Sequence, residues 1–178
     1  MVRSRRLLSW IVLAPVLAGC ARPTAPIERS AIVTVQSERI GAAGVSGGDG
    51  TWIQFTVPLR IENTGSTPLA FALCASRIEA RTGDLWNAAW TPICVLQSSD
   101  SVAVPSGEHR DFSVVVSASV DGSGGPQWHG SGVTGAYRFV AGVMFAGTTG
   151  VVPTVTSNEF TLTESLATAD QREHVPAG

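Results

Sequence analysis

The 178 residues carry 44% hydrophobic side chains, 15% charged ones and a net charge of -2, too apolar and too weakly charged for a disordered chain. The length allows one ordinary domain and excludes two. All basic residues are Arg and none forms a stripe or tail, so no nucleic-acid partner is expected. The 19 Gly and 10 Pro suit short strands joined by turns better than a helical bundle.

The chain opens with a positive segment, Arg3, Arg5 and Arg6, followed by an apolar run from Leu7 to Leu17. That run is too short to span a bilayer as a mature helix and reads as a secretory signal. It ends in Leu17-Ala18-Gly19-Cys20, which resembles a bacterial lipobox. The resemblance implies a signal peptide over residues 1–19, acylation of Cys20 and a lipidated tether over 20–30, with Pro23 and Pro26. Two or three acyl chains, at about 0.8 kcal/mol per buried methylene, hold a protein stably on a membrane. Cleavage removes three Arg and leaves a more acidic mature chain. Ala21, rather than Asp, follows the cysteine, which implies the outer membrane in an organism that has one. In such an oxidising compartment Cys74 and Cys94 are expected to pair, a reduced reactive pair being the alternative.

Strand-like runs then alternate with turns. Ala31–Gln36 is β-branched, and 41–50 reads as a Gly-rich loop. Trp52–Glu62 alternates clearly, with Ile53, Phe55, Val57, Leu59 and Ile61 on one face. Pro58 on the other face predicts an edge, a bulge or a break. A turn at 63–66 precedes a strand over Leu69–Arg81 whose phase changes near Cys74. Leu85–Leu96, Ser101–Val104, Asp111–Val120, Ala136–Phe145 and Asn158–Thr163 complete the set. A long Gly-rich loop, Asp121–Gly135, separates the strands Asp111–Val120 and Ala136–Phe145, and residues 164–178 read as a flexible tail. The expected fold is all-β: an antiparallel, immunoglobulin-like β-sandwich of 7–8 strands over residues 31–163, with one disulfide.

The segments VPLRIENTGSTPLAF, GDLW, VPSGEHRDFSV and GAYRF resemble bacterial immunoglobulin-like modules. The pattern is similar to the bacterial intracellular proteinase inhibitor family through Asn63, Gly83 with Trp86, Pro105-Ser106-Gly107-Glu108 and Gly135-Ala136-Tyr137. The resemblance spans Phe55–Phe145 and implies the sandwich fold and, as a possible activity, protease inhibition. The chain departs from that family in its export signal and its Cys74/Cys94 pair. An inhibitory loop would have to come from Thr148–Pro153 or from Trp86–Pro92.

Tyr137, the single tyrosine, sits where a tyrosine corner would tie a late strand to the loop before it. Trp86 is likewise assigned a structural role. The loops at 41–50 and 121–135 are expected at one pole, and Asp49, Trp128 and His129 are the candidate ligand-binding residues. The alternative for Trp128 is an indole folded back over the core. Gly44-Val45-Ser46-Gly47-Gly48 matches G-x-S-x-G, but without a strand-to-helix turn it is read as loop. Glu108-His109-Arg110-Asp111 reads as a solvated turn. No catalytic residue, cofactor or metal site is assigned. The sequence therefore points to a non-enzymatic, lipid-anchored envelope module that binds a protein or glycan, with protease inhibition as the alternative.

Overall fold

In the chain's computed structural model, residues 31–47, 50–94, 101–122, 124–130, 132–146 and 151–165 are described. Cys20, Asp49 and the assigned signal, tether and most of the tail lie outside them. Nine strands follow one another: β1 (Ala31–Val35), β2 (Arg39–Gly47), β3 (Gly50–Asn63), β4 (Leu69–Thr82), β5 (Leu85–Trp90), β6 (Ser101–Val104), β7 (His109–Ser119), β8 (Gly135–Phe145) and β9 (Thr154–Ser165).

The strands form two layers. In the first, β3 pairs antiparallel with β1 and the second half of β2 on one edge, and with β7 on the other. In the second, β8 lies between β9 and β4, and β4 carries β5 and β6 on its far edge. The first half of β2 crosses over to pair parallel with β9. With β1, β3, β4, β7, β8 and β9 as strands A, B, C, E, F and G, these are the A–B–E and C–F–G pairings of an immunoglobulin-like sandwich.

The alternating faces of β3, β7, β8 and β9 close on one another. Val57, Leu59, Ile61, Val116, Phe139, Val143 and Leu162 are fully buried there. Phe71 packs against Phe112 at 4.9 Å and Phe139 at 6.2 Å between ring centres. Asn158 ties the layers across the β1 edge: its Oδ1 accepts from the Val35 amide at 2.8 Å, and its Nδ2 donates to the Val35 carbonyl at 3.2 Å.

Two expectations change. The segment expected as a Gly-rich loop is mostly strand β2, which makes nine strands rather than 7–8. Its small side chains conceal a pairing that is made by the backbone, to β3 on one side and β9 on the other. Pro58 sits at an edge position, as expected: on that side of β3, β1 pairs only from Leu59 onward and β2 only as far as Gln54. The Pro58 carbonyl faces away from β7 and accepts from the Gln36 amide at 2.9 Å, so the missing N–H costs the β3–β7 ladder nothing. β9 runs on to Ser165, where Glu164 and Ser165 pair with Ala42 and Ala43, two residues past the expected limit.

The phase change in β4 is a bulge. Its pairing with β8 skips from Ala72 to Arg77. Cys74 lies within the bulge and is bonded to Cys94, with 5.8 Å between Cα atoms. The Ser76 hydroxyl donates to the Ala72 carbonyl at 2.8 Å and accepts from the Gly142 amide at 2.9 Å, so these two backbone groups beside the bulge are satisfied inside the fold.

Candidate functional site

The connection from β7 to β8 forms a strap across one pole of the sandwich. It is fastened by its backbone. The Ser119 amide donates to the Pro126 carbonyl at 2.8 Å, the Trp128 amide donates to the Ser119 carbonyl at 2.8 Å, and the His129 amide donates to the Ala89 carbonyl of β5 at 2.8 Å. The β2–β3 hairpin shares this pole, because the Thr51 amide donates to Asp121 Oδ2 and the Val120 amide to the Thr51 carbonyl.

Trp128 lies beneath the strap rather than on it. It is 7% exposed, edge-on to Phe55 at 5.9 Å and tilted against Tyr137 at 5.6 Å. Its Nε1 donates to the Gly132 carbonyl at 3.0 Å, and the Tyr137 hydroxyl donates to the same oxygen at 3.2 Å. The candidate binding role of Trp128 is therefore corrected: an aromatic with core on its faces and its donor engaged belongs to the core. Burial also pushes the Tyr137 phenol above its ordinary pKa.

The glycines of the strap are explained by close approach. A Cβ at Gly130 would lie 2.6 Å from Trp128 Nε1, and one at Gly125, which has a φ of +70°, would lie 2.8 Å from the Trp52 ring. A segment that reads as flexible from its composition is fitted around two indoles.

His129 is exposed at the rim of a cleft of about 300 Å³ between the strap, β5, the end of β4 and the start of β8. Arg81, Thr82, Asn87 and Thr134 also line it. Arg81 donates to the Gly83 carbonyl at 3.2 Å and to Glu159 at 3.4 Å, so its guanidinium is oriented but still half exposed. The cleft offers an imidazole, an amide, two hydroxyls and one guanidinium, a set suited to hydroxyl and amide groups of a polar ligand. Sequence reasoning named His129 and missed Arg81, Asn87 and Thr134, because the hydrogen bond from the strap to Ala89 that brings these elements together leaves no mark on composition. Among the described residues no group of three or more His, Cys, Asp or Glu could hold a metal ion.

Beside the cleft, the outer face of the second layer carries an ionic cluster. Glu79, whose side chain is 8% exposed, accepts from Arg138 at 2.7 Å and from Arg77 at 2.7 Å. The Arg138 guanidinium lies 4.4 Å over the half-buried Trp86 ring. Trp86 thus covers the cluster from the β5 side. Burial raises the Glu79 pKa, but the hydrogen bonds from Arg138 and Arg77 outweigh it and the net shift is downward. A lowered folded-state pKa stabilises above the unfolded carboxylate value and is lost as pH falls through the folded value. Glu79→Gln is expected to cost about 2 kcal/mol at pH 7, with the gap from wild type closing below about pH 4. Urea unfolding at pH 7 and pH 3 measures both; a gap that stays constant with pH would rule out the ionic origin.

The other candidates are separated from this site. His109 and Asp111 lie on the far layer, where Arg60 donates to Asp111 at 2.8 Å and 2.9 Å. Of the two candidate inhibitory segments, Trp86–Pro92 is strand β5 as far as Trp90, paired to β4 with Ala89 and Trp90 buried, and irregular at Thr91 and Pro92; Thr148–Pro153 lies partly outside the described residues. Gly44 to Gly47 of the G-x-S-x-G match belong to β2, in a strand-to-strand hairpin.

No protein-family model and no curated protein matches the chain. Solved structures that resemble it include three with low identity. The structural-genomics target SoR45 is 11% identical, covering 85% of this chain and 98% of that one with a TM-score of 0.42. The putative ApaA protein of Bordetella pertussis is 16% identical over 75% and 93%, with a TM-score of 0.37. The ASH/PapD-like domain 7 of human CEP192 is 13% identical over 91% and 99%, with a TM-score of 0.39. The class of the chain rests on its own strand pairing: it is an immunoglobulin-like antiparallel β-sandwich stapled by the Cys74–Cys94 disulfide.

Proposed function

We propose that this chain is a non-enzymatic binding module, held at the bacterial cell envelope through a lipid on Cys20, that takes a polar ligand in the cleft beneath His129. The observation that carries the reading is the cleft itself: hydrogen-bonding side chains from two strands, β4 and β5, and from the strap, set on a fastened scaffold. Preorganised polar groups lose little freedom on binding, which favours a hydroxyl-rich ligand such as an envelope glycan or its attached peptide. The lipobox-like sequence supplies the anchor, with outer-membrane placement in a diderm organism.

The test uses the full chain with soluble cell-wall disaccharide-peptides and neutral oligosaccharides as probes, followed by amide and imidazole NMR shifts. Shifts confined to His129, Asn87, Thr134 and their neighbours are expected, with His129→Ala or Asn87→Ala weakening binding by about ten-fold, the worth of one hydrogen bond to a polar ligand. Shifts elsewhere, or none with any probe, would sink the cleft as the site. Mass spectrometry of the membrane-extracted protein tests the anchor; an unmodified Cys20 would remove it.

A further inference from the structure

The outer edge of β7 is an unfinished sheet edge. Adjacent residues of an antiparallel strand point their N–H and C=O groups to opposite sides in turn. Pro58 faces away from β7, so its register partner Ser113 also turns its backbone groups away from β3. Ser119, at the other end and of the same parity, likewise points outward and is taken up by Pro126 and Trp128 of the strap. Between the ends, the outward backbone groups of His109, Asp111, Ser113, Val115 and Ser117 meet no strand among the described residues.

The devices that usually protect such an edge are missing from it. The β3–β7 register runs without a bulge, β7 contains no Pro or Lys, and its charges are confined to the first three residues. Val115 is 63% exposed on the outer face. On the core side, a groove of about 450 Å³ opens between β6 and β7, lined by Leu73, Val102, Phe112 and Val114 among others.

We propose that this edge pairs with β7 of a second copy, antiparallel about a twofold axis through Ser113. The five open positions are symmetric about that residue, so one register engages all of them. Ser113 faces itself, Asp111 faces the partner's Val115 and His109 faces the partner's Ser117. About ten main-chain hydrogen bonds form, two for each facing pair. No like charges meet, because Asp111 lies opposite valine and is already held by Arg60. On the core side Phe112 meets the partner's Val114, extending the apolar face over the groove. The contact is isologous, so it closes at two copies.

The test is sedimentation of the full chain carrying Cys20→Ser, in mild detergent, across about 1–100 µM, the range in which weak dimers dissociate. A concentration-dependent dimer is expected. Ser113→Pro removes an outward donor without touching the β3 ladder and should weaken the dimer about ten-fold or more, while Ser113→Ala leaves it intact. Circular dichroism and melting show whether each variant folds. In the same background Ser113→Cys should oxidise to a covalent dimer, since facing Cα atoms lie about 5.5 Å apart, within disulfide reach, whereas Thr56→Cys one strand inward should not. A chain that stays monomeric throughout, a dimer indifferent to Ser113→Pro, or equal cross-linking at both positions would overturn the proposal.

Discussion

Trp128→Ala is expected to unfold the protein about 10 °C or more below wild type, a loss of about 3–5 kcal/mol. The indole is enclosed by Phe55, Tyr137 and the strap, and truncation leaves a cavity that the strap cannot fill because its backbone is bonded to Ser119 and Ala89. The Gly132 carbonyl loses one of its two donors. Trp128→Phe separates the contributions: it keeps a ring between Phe55 and Tyr137 and gives up the Nε1 bond and part of the packing, so about 1–2 kcal/mol should be lost. Thermal and urea unfolding of the two variants measure this order. Equal effects would mean that the ring contributes little. The prediction also guards the functional test, because a ligand lost with Trp128→Ala would report a collapsed strap rather than a broken contact. His129→Ala leaves the strap's backbone bonds in place and is the cleaner probe.

Removing the disulfide is expected to cost about 3 kcal/mol, from the chain freedom restored when a loop of 20 positions is reopened in the unfolded state. Cys74→Ser with Cys94→Ser avoids a stray thiol. The loss should also be felt locally. Cys74 sits in the β4 bulge, where pairing to β8 is suspended between Ala72 and Arg77, and the bulge is otherwise held by Ser76. Hydrogen exchange at Leu73–Ser76 and Thr91–Cys94 should quicken more than at Phe55–Leu59, which sits in the β3–β7 ladder. Uniform acceleration across both regions would locate the whole effect in the unfolded chain.

The strands with alternating large apolar residues could be read directly. In β3, Ile53, Phe55, Val57, Leu59 and Ile61 all turn inward, because a two-residue period and a half-buried sheet leave no other arrangement. The disulfide and the bulge were both signalled near Cys74, by the cysteine itself and by the break in phase. β2 could not be read, since Gly and Ala carry no side-chain signal and the strand exists through its neighbours' backbones. The cleft was half legible: a Trp and a His in a Gly-rich connection marked the pole, but which of the two faces solvent depends on three backbone bonds, one of them to Ala89 far away in sequence. The open edge of β7 was invisible for a related reason. Its alternation is that of any half-buried strand, and only the register with Pro58 reveals which way its amides point.

The crossing of β2 between the layers has a mechanical consequence. β2 and β9 run parallel over Arg39–Ala43 and Thr161–Ser165, with the incoming end of one beside the incoming end of the other. Tension drawn between the two ends of the described chain would pull these strands lengthwise past each other. The hydrogen bonds of the five register pairs would then share the load in shear instead of opening one at a time from an end. Such a patch resists force through its unfolding rate more than through its equilibrium stability.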